Sequence, residues 1–282
     1  ICTALERMAR DILYKKYFTV ICAPEENALP LPGGRYLVAD SEESLIRRME
    51  QDVYVRSYTK NDIYTGKHVA SKLWIGDYTT GETFEELAQQ ATGVKRIGIL
   101  RADVDNLGTT FVHGFERDGG DERYVTLSRT ATLSRQLSLF FKCYINQILQ
   151  YGTDSVFGEG GARKSVIVYS GGDDIFLAGA WNDVIAAFCD IKNSLEQFTQ
   201  GTLTISGGVG IYHSGDPLNV MAEEVALLED RSKEMDGKNA VTLMDNSQSF
   251  QWRDFQNKVL GEKLEAICTY FDRNDERGMA FL

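Results

Sequence analysis

The sequence predicts an α+β fold, and three features carry that prediction. From Arg96 onward, strand-like runs and amphipathic stretches follow the order βα, then two strands in succession, then αβ and αβ. The two successive strands are separated by only a few residues, which include Gly171 and Gly172, as in a β-hairpin. The composition, 43% hydrophobic and 25% charged, is that of an ordinary globular chain. A length of 282 residues is enough for about two domains, each with its own core. The 26 Gly and 4 Pro follow no repeat, which excludes collagen-like, low-complexity and wholly disordered readings. Lys and Arg total 30 against 41 Asp and Glu, a net charge of −11. That sign is wrong for a free-standing binder of nucleic acid or anionic membrane, so a nucleic-acid partner has to be met locally or through other subunits.

Residues 1–95 read as a small mixed domain. A helical opening is followed by the apolar runs YFTVICA (17–23) and RYLVA (35–39), with the turn-rich PEENALPLPGG between them. A helical SEESLIRRME and the strand-like VYVRSY and SKLWIGDY come next, and none of these carries evident chemistry. This part holds 12 basic and 14 acidic residues, a net of −2, which leaves −9 for residues 96–282. From Arg96, RIGILRADVD (96–105) is an apolar strand ending in carboxylates. An amphipathic helix is expected from about Asp121 to Tyr151, its apolar face formed by Leu127, Leu133, Leu137, Phe140, Phe141, Tyr144 and Ile148. KSVIVYS (164–170) and DIFLAGA (174–180) form the hairpin. A helix from Asn182 to about Phe198, a strand over 202–212, a helix from about Pro217 to Glu234 and a strand over 240–244 complete the unit. This is the order of a ferredoxin-like split βαβ fold, expected as an antiparallel sheet with helices on one face. Beyond Phe250 the chain reads as helical.

Cys2, Cys22, Cys143, Cys189 and Cys268 are far apart, with neither a CxxC pair nor a Cys-His spacing suited to zinc, and read as reduced core residues of a cytoplasmic protein. No run approaches the roughly 18 apolar residues of a membrane span, and the charged opening resembles neither a signal peptide nor an anchor. The chain starts at Ile1 rather than at a methionine, and is expected to be a piece of a longer protein.

Two acidic clusters stand where strands end. In RADVDN, alternation along a strand sends Asp103 and Asp105 to one face if the strand persists that far. In YSGGDDIF, Asp173 and Asp174 directly follow the two glycines of the hairpin. In a βαββ arrangement the first strand neighbours the hairpin, so the clusters should meet. Carboxylates crowded at one rim repel by about 4 kcal/mol per pair at 4 Å and an effective dielectric near 20, and a counter-ion relieves that repulsion. An all-oxygen set favours Mg²⁺ or Mn²⁺, which suits nucleotidyl transfer on a triphosphate. The plain alternative is that both clusters are solvated turn acids.

YSGGDD (169–174) after RADVDNLG (101–108) resembles the Palm/cyclase superfamily, which includes the GGDEF diguanylate cyclases. The chain is still more similar to the C-terminal part of the large polymerase/cyclase subunit of type III-A CRISPR effector complexes. The further segments that carry this likeness are ILRADVDNLG, SRTATLSRQLSLFF (128–141), LTISGGVGIY, KNAVTLM and YTGKHVASKLWIGDY (64–78). The resemblance implies a linker domain over 1–95, a Palm (GGDD cyclase) domain over 96–248 and the start of a C-terminal helical domain over 249–282. It also implies synthesis of cyclic oligoadenylates from ATP when the complex binds target RNA. The implied partners are the other subunits, crRNA and target RNA met through the complex, and an HD domain and first Palm domain elsewhere in the same polypeptide, with no membrane.

By the same resemblance Asp103, Asp173 and Asp174 would hold two Mg²⁺ or Mn²⁺ ions, while Asn106, Leu107 and Gly108 would offer backbone amides to phosphate. Asp105 would be either a further metal-sphere residue or the N-cap of the helix that starts at Leu107. Gly171, Gly172 and Ser170 belong to the GGDD turn. Ser170 and Ser206 could contact ribose or base, though packing explains them equally well. Phe111 stands where GGDEF enzymes carry the asparagine that reads guanine, so guanine selection is not expected. Lys233 and Lys238 in SKEMDGKN are candidate phosphate ligands, with a helix C-terminal charge and a turn residue as the plain alternative. Arg129 and Arg135 read as a solvated helix face. His68, His113 and His213 are scattered and no His-Asp dipeptide occurs, so an HD-type nuclease is not expected within this chain. Neither a GxSxG elbow nor a GxxxxGK[ST] loop is present. The remaining alternatives are a diguanylate-type cyclase and a non-catalytic scaffold module.

Overall fold

The computed structural model describes residues 2–116, 122–157 and 160–273. The chain divides into two compact units, Ile1–Asp77 and Tyr78–Leu282. The first contains helices α1 (Cys2–Tyr14) and α2 (Glu42–Met49) and strands β1 (Tyr17–Ile21), β2 (Leu29–Leu31), β3 (Arg35–Asp40), β4 (Tyr54–Lys60), β5 (Tyr64–Thr65) and β6 (Val69–Leu73). Its sheet runs in the order β2-β3-β1-β4-β6-β5. β2 falls within the stretch read as a turn; its Pro30 is tolerated because the strand lies at the sheet edge. Ser41 caps α2, and Arg48 on its last turn pairs with the buried Asp40 at 2.8 Å.

The second unit contains α3 (Phe84–Gln89), β7 (Ile97–Val104), α4 (Leu107–His113), α5 (Leu127–Leu139), α6 (Ile145–Gln150), β8 (Ser165–Gly171), β9 (Asp174–Ala180) and α7 (Trp181–Thr199). It continues with β10 (Ile205–Tyr212), α8 (Leu218–Glu234), β11 (Ala240–Leu243), β12 (Ser249–Gln251), α9 (Trp252–Asp254) and α10 (Glu265–Arg273). Residues 78–95, grouped with the first segment in the sequence reading, pack here. Thr79 bridges to Val166, and α3, closed by a Thr83–Glu86 capping box, lies against β9 and β7.

The sheet order is β12-β11-β10-β7-β9-β8, and the four strands β10-β7-β9-β8 have the ferredoxin-like arrangement expected. Two details differ from expectation. β11 runs parallel to β10, so the sheet is mixed rather than antiparallel. Helices also cover both faces. Leu100, Ala102 and Val104 of β7 point into a core with Leu137, Phe140, Phe141 and Ile145 on one side and with Val184, Phe188 and Ile191 of α7. Ile97 and Ile99, one residue out of phase, pack against Met221 and Val225 of α8 on the other face.

The long helix begins later than expected. Thr126 is its N-cap, so Leu127 occupies the first helical position and is 86% exposed rather than part of the apolar face. The expected start at Asp121 lies outside the described residues. A π-helical stretch, Phe140–Tyr144, joins α5 to α6 and lets the adjacent Phe140 and Phe141 both bury. A second π-helical stretch, Phe255–Leu264, joins α9 to α10. The loop that leads into β8 is tied to α7 by a buried ion pair between Arg163 and Asp190, whose other oxygen accepts from the Thr153 and Asp154 amides. No described helix is long and apolar enough to cross a membrane.

Candidate functional site

β7 sets the first acid in place. Its alternation buries Ala102 and Val104 and turns Arg101 and Asp103 towards α8. β8 and β9 bring the second cluster. Gly171 pairs with Asp174, so the hairpin loop is Gly172 and Asp173 alone. Gly172 takes φ +56° in the first loop position, a conformation that glycine adopts without strain. β9 lies directly beside β7 with Asp174 opposite Asp103, and the Val104 amide donates to the Asp173 carbonyl at 3.1 Å. The expected meeting of the two clusters therefore occurs at the backbone.

Their proximity shows in their acidity. Burial raises the Asp173 carboxyl above its ordinary range, and the charges of Asp103 and Asp174 raise it further. Burial also raises Asp174, with the Asp103 charge adding to it, although the Tyr169 hydroxyl and Arg101 act in the opposite sense.

α8 supplies Lys233 and Glu229. Lys233 Nζ donates to Asp103 Oδ2 at 2.7 Å and to Glu229 Oε1 at 2.6 Å. Glu229 Oε2 in turn holds Arg101 Nε at 2.7 Å. Burial alone would lower the Lys233 pKa, but its hydrogen bonds to Asp103 and Glu229 outweigh that and raise it. α8 can lie this close because β10 carries Gly208 opposite Arg101. A Cβ there would stand 2.5 Å from Leu228 Cβ and 2.7 Å from the Glu229 nitrogen.

Asp105 does not extend the rim along the strand, because β7 ends at Val104. It is 3% exposed, and its Oδ2 accepts from Thr204 Oγ1 at 2.7 Å, Ser206 Oγ at 3.0 Å and the Asn239 amide at 3.0 Å. It is not the helix cap either. Asn106 is the N-cap of α4, at φ +54° and without a side-chain capping bond. Asp105 instead ties the segment after β7 to β10 and to the turn before β11. In that turn Gly237, Lys238 and Asn239 all have positive φ.

The other expected site residues divide. Gly108 is open, with nothing within 4 Å of a Cβ built on it. Leu107 and Phe111 are half-buried against the main core. The Ser170 hydroxyl donates to the Phe141 carbonyl, and Ser206 is fully buried between Asp105 and the Ala240 amide, so packing accounts for both. Lys238 makes no ion pair among the described residues. Arg129 stacks over Tyr124 at 4.4 Å. It also borders a cavity of about 770 Å³ whose walls include Thr110 of α4, Leu133 and Gln136 of α5 and Phe198 of α7. Sequence reasoning missed Arg101, Glu229 and this cavity. The i, i+4 spacing of Glu229 and Lys233, and the i, i+2 spacing of Arg101 and Asp103, were the signals available.

Among the described residues no three His, Cys, Asp or Glu side chains form a ready cage for a metal ion. The donor set nevertheless suits Mg²⁺, which takes one or two carboxylates and completes its octahedron with water and substrate phosphates. Asp103, opposite Asp174 across the two strands, and Asp173 in the adjoining turn are the carboxylates available for such a set.

Residues 96–242 match the family described as Cas10/Cmr2, second palm domain. The chain is 40% identical over 286 residues to a Mycobacterium tuberculosis protein described as CRISPR system single-strand-specific deoxyribonuclease Cas10/Csm1 (subtype III-A), covering 100% of this chain and 35% of that protein. A protein of the same description from Enterococcus italicus is 37% identical over 290 residues, with 100% and 36% covered. The chain thus spans about a third of the length of the curated relatives it matches. Among solved structures, Csm1 of T. onnurineus superposes with a TM-score of 0.67 at 25% identity, over 86% of this chain and 35% of that one. A Csm1-Csm4 cassette in complex with one ATP gives 0.72 at 22% identity, over 98% and 43%.

Proposed function

The chain belongs to the Cas10/Cmr2 family, whose second palm domain it carries over residues 96–242, and from that premise we propose that it is the nucleotidyl-transfer half of a cyclic oligoadenylate synthase in a type III-A CRISPR complex. The observation that carries this reading is the pairing of Asp103 with Asp174 across β7 and β9, with Asp173 in the turn beside them. Csm1-Csm4 cassettes of the same fold, solved with one ATP and with cA4, support ATP as the substrate class. The proposed setting is cytoplasmic, among the other Csm subunits and with crRNA and target RNA reached through them.

Asp103, Asp173 and Asp174 would hold Mg²⁺ or Mn²⁺, which when bound neutralises a triphosphate and activates a 3′-hydroxyl for attack on an α-phosphate. The chain's own residues do the rest. The turn Asn106–Gly108, open at Gly108, presents amides to phosphate oxygens. Lys233, and Lys238 on the neighbouring turn, supply positive charge at the triphosphate. Asp105 holds that turn through the Asn239 amide. The cavity beyond α4 gives the base a place where Thr110 and Gln136 offer hydrogen-bonding groups, and Phe111 leaves no guanine-reading amide at its position.

The reading keeps the three-part division into linker, Palm and the opening of a helical domain, with 78–95 folded into the Palm unit. A second ATP would be held by a first Palm domain in the rest of the protein, and we assign the DNA cleavage for which the relatives are named to a part outside this chain, whose sequence has no His-Asp dipeptide. The chain alone should therefore bind ATP with Mn²⁺ saturably and release pyrophosphate slowly. Asp103→Asn should abolish the Mn²⁺-dependent part of ATP binding. ATP affinity that is indifferent to Mn²⁺ and to that substitution would favour a scaffold role, and a preference for GTP would favour the diguanylate-type reading.

A further inference from the structure

We propose that Lys233 is the internal counter-ion of the acidic rim, displaced from Asp103 when a divalent ion arrives, and that Glu229 is the positioning residue that keeps hold of it. The inference rests on the metal-binding reading above and deepens it by assigning the state of the rim before the ion binds. Lys233 Nζ lies 2.7 Å from Asp103 Oδ2 and 2.6 Å from Glu229 Oε1, so one ammonium bridges an acid of the rim and an acid of its own helix. A doubly charged ion on Asp103 repels that ammonium from the first acid and leaves the second available.

Glu229 is built to stay in place. It is 5% exposed, and Arg101 Nε fixes its Oε2 at 2.7 Å, so the carboxylate cannot turn to follow the lysine. The i, i+4 spacing keeps Lys233 and Glu229 neighbours on α8 throughout. Without Glu229, an ammonium driven off Asp103 would be half-buried with no counter-charge, which is costly. With it, the exchange is a swing of one flexible side chain about a fixed anchor. The swing frees one of the three ammonium donors beside the rim, where phosphate oxygens would lie.

The charge count agrees. By formal charge, Asp103, Asp173, Asp174 and Glu229 count as four negative and Arg101 and Lys233 as two positive, a net of −2. One divalent ion brings this group to neutrality with both cations retained. Lys233 therefore has only to give up Asp103, not leave the site.

The test is a Mn²⁺ titration of the chain, followed by the electron paramagnetic resonance of the free ion, with and without ATP. Lys233→Met should bind Mn²⁺ about tenfold more tightly than wild type when no nucleotide is present, the scale of removing a half-screened positive charge. It should bind ATP less tightly once the ion is on. The isosteric Glu229→Gln should shift metal-only affinity the other way, because the ammonium then rests on Asp103 alone, and Lys233→Arg should stay near wild type. A merely structural Glu229 would lower the melting temperature without this opposed pair of shifts. If wild type binds Mn²⁺ and Lys233→Met binds it no more tightly, the counter-ion assignment is overturned and the metal reading stands, whether or not Glu229→Gln folds. If wild type binds no Mn²⁺ with or without ATP, both fall.

Discussion

Replacing Gly208 by alanine tests whether the fold places the site in the way described. The added Cβ would lie 2.5 Å from Leu228 Cβ, 2.7 Å from the Glu229 nitrogen and 2.8 Å from the Leu228 carbonyl carbon. Two of these atoms are helix backbone and cannot step aside. Carbon atoms are in comfortable contact at about 3.5 Å or more, so α8 must retreat by about 1 Å. Overpacking of this kind costs about 1–3 kcal/mol, and for a unit of this size each kcal/mol lowers Tm by roughly 2–4 °C. The same retreat carries Glu229 and Lys233 away from Arg101 and Asp103, whose contacts of 2.7 Å leave no slack for it. Thermal unfolding followed by circular dichroism should therefore show a Tm lower by several degrees, and a Mn²⁺-ATP titration of the folded variant should show weakened binding. A variant with wild-type stability would mean that α8 does not lie against β10 as described. A destabilised variant with unchanged Mn²⁺-ATP affinity would mean that α8 does not position Lys233 at the rim.

Three further outcomes follow from particular contacts. Asp190→Ala leaves two amides without their acceptor and leaves the buried Arg163 guanidinium only Asp183 at 3.6 Å and the Asp154 carbonyl, and should cost about 3 kcal/mol in urea unfolding; a loss under 1 kcal/mol would show the pair to be dispensable. Ser170→Ala removes the hydroxyl bound to the Phe141 carbonyl and should cost about 1 kcal/mol while leaving ATP affinity unchanged, whereas a large loss of affinity at wild-type stability would return Ser170 to the nucleotide. Because the folded chain holds the Asp173 carboxyl above its ordinary 3.8, ionising it opposes folding: the penalty is absent below that value and complete once the pH has passed the raised folded pKa. Asp173→Asn should accordingly stabilise the metal-free chain at pH 7 and lose that advantage as the pH falls towards 3.8; a gain independent of pH would assign the effect to packing.

The core of the fold was legible because its signals are local. β7, β8 and β9 are short, largely apolar runs ending in glycines and acids, and α7 and α8 show their apolar faces with clear ends. The meeting of Asp103 with Asp174 followed from strand order alone. What escaped depends on contacts between elements distant in sequence. Asp105 was paired with Asp103 by alternation, but the strand stops at Val104, and Thr204, Ser206 and Asn239 all bind its Oδ2. β2 was hidden because proline and glycine argue for a turn unless the strand is known to lie at an edge. The layer formed by α8 on the second face could not be seen from a four-stranded plan, and with it went Glu229, whose contact with Arg101 depends on Gly208 letting its helix down onto the sheet. The π-helical turn at Phe140–Tyr144 leaves no mark in a pattern of period 3.6 beyond two adjacent buried phenylalanines.

The most direct measurement is the anomalous diffraction of a crystal of the chain soaked with ATP and Mn²⁺. A manganese peak bounded by the carboxylates of Asp103 and of Asp173 or Asp174, with triphosphate density between it and the Asn106–Gly108 turn, is the predicted result. Manganese and nucleotide bound elsewhere, with Lys233 still seated on Asp103, would contradict it.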